Sequence, residues 1–166
     1  ASNITGLSDA LVVGSGNVGS IHIGNVPPSR TSEALANVAL GITALNSITT
    51  GDGNTAIGQN ALSSNDIGHF NTAVGYNSLY FTTSGSYNTA SGFQSLRNNT
   101  TASNNTASGY QALKNNTRGI NNTASGYQAL YYSTTGIYNT ASGYQALYKN
   151  TTGDYNTASG VEALKE

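Results

Sequence analysis

The sequence has no cysteine, methionine or tryptophan, and only 8% of its 166 residues are charged. Without cysteine the chain has neither a disulfide framework nor a thiolate metal site. A formal net charge of −1 leaves no basic face to neutralise phosphates or lipid headgroups, so we expect no nucleic-acid partner. No apolar run approaches the roughly 18 residues of a membrane span, so direct membrane insertion is not expected either.

What the sequence does contain is a strict repeat. Glycine, asparagine, threonine, serine and tyrosine dominate the composition, a mixture that occurs both in disordered chains and in repeat arrays. The period decides for an array, because an unchanging spacing is what a structural register requires. An Asn-Thr-Ala-x-Gly motif recurs every 17 residues, and its first residue is called position one below. It begins at Asn54, Asn71, Asn88, Asn105, Asn122, Asn139 and Asn156, with an earlier variant at Asn37.

Besides the asparagine of position one, three positions of the repeat never vary. Position three is always alanine, position five glycine and position nine leucine, while position eight is alanine or serine. Small side chains with one leucine per coil suit backbones that approach closely around a narrow axis. The predicted core comprises Ala56, Leu62, Ala73, Leu79, Ala90, Leu96, Ala107, Leu113, Ala124, Leu130, Ala141 and Leu147.

The local patterns predict a strand followed by bends. Asn-Thr-Ala-Ser-Gly alternates and carries β-prone threonine, so it predicts a short strand that ends at the glycine. The Tyr-Gln-Ala-Leu segment fits a second short strand or a single helical turn equally well. Thr-Thr-Gly predicts a turn in which the glycine takes a positive φ, as at Gly51, Gly136 and Gly153.

The expected fold is all-β, a parallel β-solenoid or β-roll of 17-residue coils. It covers residues 37–166 as seven full repeats and a partial eighth, a rod section of about 34 Å if strands pair at about 4.8 Å. Residues 1–36 form a cap or junction with a degenerate coil, because Ile21-His22-Ile23 falls 17 residues before Val38-Ala39-Leu40. The sequence stops at Glu166 within a repeat, so we expect the natural protein to continue.

The energetics of one coil predict association between chains. Ordering 17 residues costs about 25 kcal/mol at about 1.5 kcal/mol each, whereas burial of one leucine and two alanines returns only a few kcal/mol. Burial of coils against other chains would close this gap. We therefore expect a homo-oligomer, most simply a homotrimer.

Runs such as the one from Asn54 to Leu62 and the one from Asn139 to Leu147 resemble the repeats of phage tail-fibre and bacterial fibre proteins. They are also similar to the head repeats of trimeric autotransporter adhesins, which form a left-handed parallel β-roll with three chains side by side. The resemblance covers residues 37–166, although the adhesin head repeats are shorter. It implies an extracellular homotrimeric fibre on a cell or virion that recognises a host, prey or other surface through a glycan or protein receptor.

One group of residues departs from the repeat and could carry chemistry. Asp52 and His69 occupy the same position in adjacent coils, and Asp66 lies three residues before His69. Two carboxylates and an imidazole could bind a cation or act as an acid and base; the alternative is a solvated turn with mild charge attraction. The other acidic residues are scattered, so we expect no enzyme, no catalytic residue and no cofactor.

Exposed tyrosines are the better binding candidates, because the ring stacks and the hydroxyl forms hydrogen bonds with sugars and protein surfaces. They fall at the last position of the repeat or directly after the leucine. The candidates are Tyr87, Tyr131, Tyr132, Tyr138, Tyr148 and Tyr155. Alternatively, these rings pack between chains or shield the rod.

Two other functions remain open. The chain could be a structural spacer whose binding tip lies elsewhere in the fibre. It could also be a monomeric ice-binding solenoid, since position two supplies a regular threonine column. A flat ice-binding face would need a matching second column, and the serines of position four begin only at Ser91.

Overall fold

The computed structural model describes the backbone of residues 21–23 and the whole of residues 34–166. The regular structure of these residues is entirely β, and they include no helix that could cross a membrane. The strands are β1 Ile21–Ile23, β2 Val38–Leu40, β3 Thr55–Ile57, β4 Thr72–Val74, β5 Thr89–Ser91, β6 Thr106–Ser108, β7 Thr123–Ser125, β8 Thr140–Ser142 and β9 Thr157–Ser159.

The nine strands form one parallel sheet in chain order. Each residue pairs with the residue 17 positions later, as in Thr89 with Thr106 and Ala90 with Ala107. This register confirms the parallel β-solenoid of 17-residue coils. Ile21 pairs with Val38, so the degenerate first coil does contribute a strand, whereas the rest of the predicted cap or junction, up to residue 33, lies outside the described residues.

The core lies inside the coil and consists of columns of identical side chains. In each of the strands β2 to β9 the alanine points inward and its two neighbours point outward, as the two-residue period of a strand requires. The position-nine leucines belong to the same buried cluster as these alanines. All twelve residues predicted for the core are buried, and the most exposed of them, Leu147, has only 4% of its surface accessible.

The Tyr-Gln-Ala-Leu segment forms neither of the two structures that fitted its sequence. It makes tight turns with two left-handed residues, for example Gln111 at φ 56° and Leu113 at φ 50°. Side chains other than glycine rarely adopt this region, and they do so when the surroundings over-determine it. Here the leucine side chain is fully buried, and the Leu113 amide donates to the Ala129 carbonyl of the next coil at 3.0 Å.

The glycines of Thr-Thr-Gly serve a different purpose from the one predicted. Gly51, Gly136 and Gly153 are not among the positive-φ residues, so that expectation was wrong. A Cβ on Gly136 would lie 2.6 Å from the Gly153 carbonyl oxygen of the next coil. Glycine is therefore needed because neighbouring coils approach too closely for a side chain.

A buried asparagine column supplies the part of the core that the sequence interpretation missed. The Asn88 side chain donates from Nδ2 to the Ala102 carbonyl at 2.8 Å and to Asn71 Oδ1 at 3.1 Å. Its own Oδ1 accepts the Asn105 backbone amide at 3.0 Å. Each asparagine thus holds the bend of its own coil and accepts a hydrogen bond from the backbone of the next coil. The buried members of the column are Asn37, Asn54, Asn71, Asn88, Asn105, Asn122 and Asn139.

One chain closes this core without help. The leucines from Leu45 to Leu130 in position nine are fully buried in a single chain, and the asparagine column adds hydrogen bonds that an account of apolar burial leaves out. Burial of the leucine column therefore does not require another chain. The homotrimer itself stays a prediction.

Replacement of Asn88 by alanine tests the asparagine column. It leaves the Asn105 amide buried without a partner, at about 1–3 kcal/mol, and removes one of two hydrogen bonds to the Ala102 carbonyl, which keeps the one from Asn99 Nδ2 at 3.0 Å. We expect a loss of about 3 kcal/mol in the free energy of unfolding, measured by urea denaturation followed by circular dichroism. Asn98→Ala, the same change at a partly exposed asparagine, should cost no more than about 1 kcal/mol; equal losses would contradict a special role for the buried column.

Candidate aromatic binding face

Aromatic side chains form three groups on the outside of the rod. The outer ladder at position six comprises Tyr76, Phe93, Tyr110, Tyr127 and Tyr144. The bend column at position 17 comprises Phe70, Tyr87, Tyr138 and Tyr155. The corner group at positions ten and eleven comprises Tyr80, Phe81, Tyr131, Tyr132 and Tyr148.

Rings of the outer ladder stack face to face along the rod. The Tyr110 and Tyr127 ring centroids are 5.1 Å apart with planes 5° from parallel, and Tyr127 and Tyr144 repeat this geometry at 5.2 Å and 8°. Stacking follows from the register, because the same side chain recurs one coil away. The interior rings therefore show edges and, for tyrosine, hydroxyls to solvent, while their faces cover one another.

The bend column contains two separate stacked pairs. Tyr87 stacks on Phe70 at 5.3 Å and 22°, and Tyr155 stacks on Tyr138 at 5.2 Å and 6°. These rings are among the most exposed in the structure, with Tyr155 at 72% and Tyr87 at 59%. The sequence interpretation expected ligands to stack on tyrosine rings, but stacking within each pair already covers one face of each ring.

The corner group has a different geometry, which brings three of the six predicted binding tyrosines together. Tyr131 and Tyr148 stack at 5.4 Å and 21°. Tyr132 stands across both rings, at 83° to Tyr131 and 80° to Tyr148. Tyr80 and Phe81 form a second perpendicular pair at 4.6 Å.

Two cationic side chains lie against the corner rings. The Arg97 guanidinium is 4.9 Å from the Phe81 ring centroid and 5.6 Å from that of Tyr80. The Lys114 Nζ is 5.6 Å from the Tyr131 ring centroid. Sequence reasoning missed both residues, although position ten on successive coils holds Tyr80, Arg97, Lys114, Tyr131 and Tyr148.

Asp52 and His69 do meet, as their shared position 16 predicted, but their contacts are structural. The Asp52 backbone amide donates to His69 Nδ1 at 3.0 Å, and the Leu35 amide donates to Asp52 Oδ1 at 2.7 Å. Ser86 Oγ accepts the His69 amide in the same way at 3.0 Å. From Asp52 to Ser103, position 16 is therefore a column of side-chain acceptors, each bound to the amide of the preceding coil.

Asp66 does not join this pair in any contact that would build a cation site. Its carboxylate accepts a hydrogen bond from the Thr49 hydroxyl one coil away. Within residues 34–166, no group of three or more histidine, aspartate or glutamate side chains is placed to hold a metal ion. The Asp52–His69 approach of 3.8 Å between Oδ2 and Nδ1 is that of two neighbours in the acceptor column.

The outer face of the sheet carries the threonine column of position two. Thr89, Thr106 and the threonines that follow them are exposed and lie in register. Position four beside it is serine from Ser91 onward, but Leu40, Ile57 and Val74 occupy it on β2 to β4. The sheet face is therefore hydroxyl-rich along β5 to β9 and apolar along β2 to β4.

The corner group should show itself in alkaline titration. Burial, and next the neighbouring Tyr132, raise the pKa of Tyr148 above its ordinary value. Because the folded state holds this proton more tightly, its contribution to stability is complete below pH about 10 and is lost as the pH rises through the folded pKa. Subtracting the tyrosinate absorbance of Tyr148→Phe from that of the wild type isolates the titration of Tyr148. The midpoint of this titration should therefore lie above that of free tyrosine, and Tyr132→Phe should lower the midpoint. A midpoint at or below that of free tyrosine would contradict this environment.

The functional interpretation of the aromatic face rests on its geometry. The chain matches no protein-family model, no curated protein and no solved structure. What the face can do follows from its own residues: ordered rows of rings and hydroxyls on a rod, and one corner where cations lie among rings.

Proposed function

We propose that this chain is a segment of an extracellular, non-enzymatic fibre adhesin, carried by a cell or virion as a homotrimer, that recognises a host, prey or other surface. The observation that carries this proposal is the display of exposed tyrosines in register along a β-solenoid rod. The proposed receptor is a cell-surface glycan or protein.

The rod suits the mechanical part of this function. Backbone hydrogen bonds join each coil to the next at several points of the repeat, for example from Thr134 to the Thr151 carbonyl at 2.8 Å and from Tyr138 to the Ile120 carbonyl at 3.1 Å. These contacts run along the rod axis, so every added coil extends the rod by about 4.8 Å. Such an architecture places a binding element at a distance from its carrier.

The exposed tyrosines suit the recognition part. Tyr138 and Tyr155 have 49% and 72% of their surfaces accessible, although each is held by stacking on the other. A tyrosine that is already ordered loses little conformational entropy when it binds, and its hydroxyl both donates and accepts hydrogen bonds. Their edges and hydroxyls would contact the receptor.

The sheet face along β2 to β4 supports association of chains. Leu40, Ile57 and Val74 form an exposed row, with 44%, 37% and 37% of their surfaces accessible, and Ile42 beside it is 65% exposed. A contiguous exposed row of aliphatic side chains is typical of an interaction surface. We place the contacts of the proposed homotrimer there.

Binding to cells tests recognition. We expect the labelled chain to bind saturably to intact cells of at least one type in a panel of bacterial and animal cells. Tyr138→Asn with Tyr155→Asn should weaken this binding at least about tenfold, in the range of an interface hot spot. Asparagine keeps the backbone, because Asn104 and Asn121 occupy the same column with φ 61° and 58°.

The control for this experiment changes the same coils on another face. Thr123→Ala with Thr140→Ala alters the sheet face, where both threonines are exposed, and should leave cell binding unchanged. Periodate oxidation of the cells and proteolysis of the cells then separate a glycan receptor from a protein receptor. Absence of saturable binding to every cell type would contradict recognition by this segment and favour the structural spacer.

Molar mass in solution tests the assembly. Light scattering on a sizing column should give about 51 kDa, three times the 17.0 kDa of one chain. Leu40→Ser with Ile57→Ser should shift the mass toward one chain, because these changes remove the apolar row. A wild-type mass near 17.0 kDa would contradict the trimer and favour the monomeric ice-binding alternative, which thermal hysteresis of the same sample then tests.

A further inference from the structure

The corner of the rod at positions ten and eleven holds an arrangement that occurs once in the described coils. Four consecutive coils carry, in order, the pair Tyr80 and Phe81, then Arg97, then Lys114, then the pair Tyr131 and Tyr132. Two adjacent cations thus lie between two aromatic pairs. We call these six residues the basic corner.

The rings hold both cations in place. Arg97 lies over Phe81 and Tyr80, and its Nη1 donates to Asn98 Oδ1 at 3.0 Å. Lys114 lies over Tyr131 from the opposite side. Cations ordered by aromatic faces have less rotamer freedom to lose when they bind an anion.

Neither cation has a carboxylate partner among the residues that the structure describes in full. Among residues 34–166 the ion pairs are Asp52 with His69, Lys149 with Glu166, and Lys165 with Glu162. No acidic residue at all lies between Asp66 and Asp154. Arg97 and Lys114 are one coil apart, about 4.8 Å along the rod, so an anion seated between them would relieve the repulsion of two like charges.

Tyr132 adds a surface for a sugar ring. It stands across the Tyr131–Tyr148 stack instead of within it, and 44% of its surface is exposed. Its neighbours in the same column, Asn115 and Lys149, carry no ring, so no aromatic stack covers it. Its ring can therefore receive the apolar side of a sugar, while nearby tyrosine hydroxyls bind sugar hydroxyls.

We propose that the basic corner binds a linear acidic polysaccharide, with a carboxylate or sulfate group between Arg97 and Lys114 and a sugar ring on Tyr132. This inference rests on the proposed function and assigns it a site and a ligand class. The guanidinium offers planar paired donors to a carboxylate or sulfate, and the ammonium adds a second charge. Nucleic acid is disfavoured, because tight binding to a phosphate backbone takes many cationic contacts and this corner supplies two.

Immobilised polysaccharides test the proposal directly. Binding of the full chain is measured by interferometry to polygalacturonate, dextran sulfate and neutral dextran, with single-stranded DNA as a competing anion. We expect binding to one or both acidic polymers and none to neutral dextran or DNA. A preference for polygalacturonate indicates a carboxylate ligand, and a preference for dextran sulfate indicates a sulfate ligand. Equal binding to neutral dextran, or stronger binding to DNA, would overturn the proposal.

The chain supplies a matched control for the charges. Arg97→Gln with Lys114→Gln should weaken binding to the acidic polymer at least about tenfold, because each charged hydrogen bond contributes about this much or more. Lys149→Gln with Lys165→Gln removes the same charge from the same columns, but at lysines that are paired with glutamates, and should change binding less than about twofold. Equal losses in the two double variants would mean unspecific charge attraction and overturn the site.

The sugar-ring contact has its own variants. Tyr132→Ala should weaken binding, whereas Tyr132→Phe should retain most of it because the ring face is kept. Circular dichroism and thermal melting confirm that each variant is folded before binding is compared. If the wild type binds cells but the Arg97→Gln, Lys114→Gln variant binds them and the polymers equally well, the site is wrong while the adhesin function stands.

Discussion

The buried asparagine column is the interaction on which the rest of the structure depends. A coil of 17 residues with one leucine and two small side chains buries little apolar surface, and its bends leave backbone amides and carbonyls inside. The Asn88 and Asn105 side chains satisfy these groups in their own coil and in the neighbouring one. Removal of such a side chain leaves the backbone amide of the next asparagine without a partner, which is costly in a buried environment. Each asparagine therefore stabilises both the bend of its own coil and the stacking of the next coil.

Stacking at one-coil spacing also decides what the surface can present. Identical rings in a column cover one another, so the outer ladder exposes edges where an isolated tyrosine would expose a face. Polar residues behave likewise: the Asp52 and His69 side chains are occupied by amides of the preceding coils. Groups free to bind a ligand arise where a column changes residue type, as at Arg97 and Lys114. In a regular array, the exceptions to the repeat are the candidates for recognition.

The sequence interpretation succeeded where a single period was enough. The 17-residue spacing predicted the parallel register, and the invariant Ala107 and Leu113 of one coil were identified as core. It failed where the conformation of a residue, or the need for glycine, depends on contacts with the next coil. Gly136 was expected to need a positive φ but is required by the nearby Gly153 carbonyl, and a leucine at φ 50° such as Leu113 cannot be foreseen from residue preferences that count it as rare.

The sequence by itself determined the architecture: a strict period decides which residues lie above one another, and that register selects a parallel solenoid. Only the tertiary structure decided the direction in which each ring and charge points, because that depends on contacts between residues 17 positions apart. Tyr132 and Tyr138 have the same residue type and similar exposure. Tyr132 stands across its neighbours because a second column of tyrosines lies beside it at the corner. Tyr138 is stacked on Tyr155 because its aromatic neighbour lies in its own column.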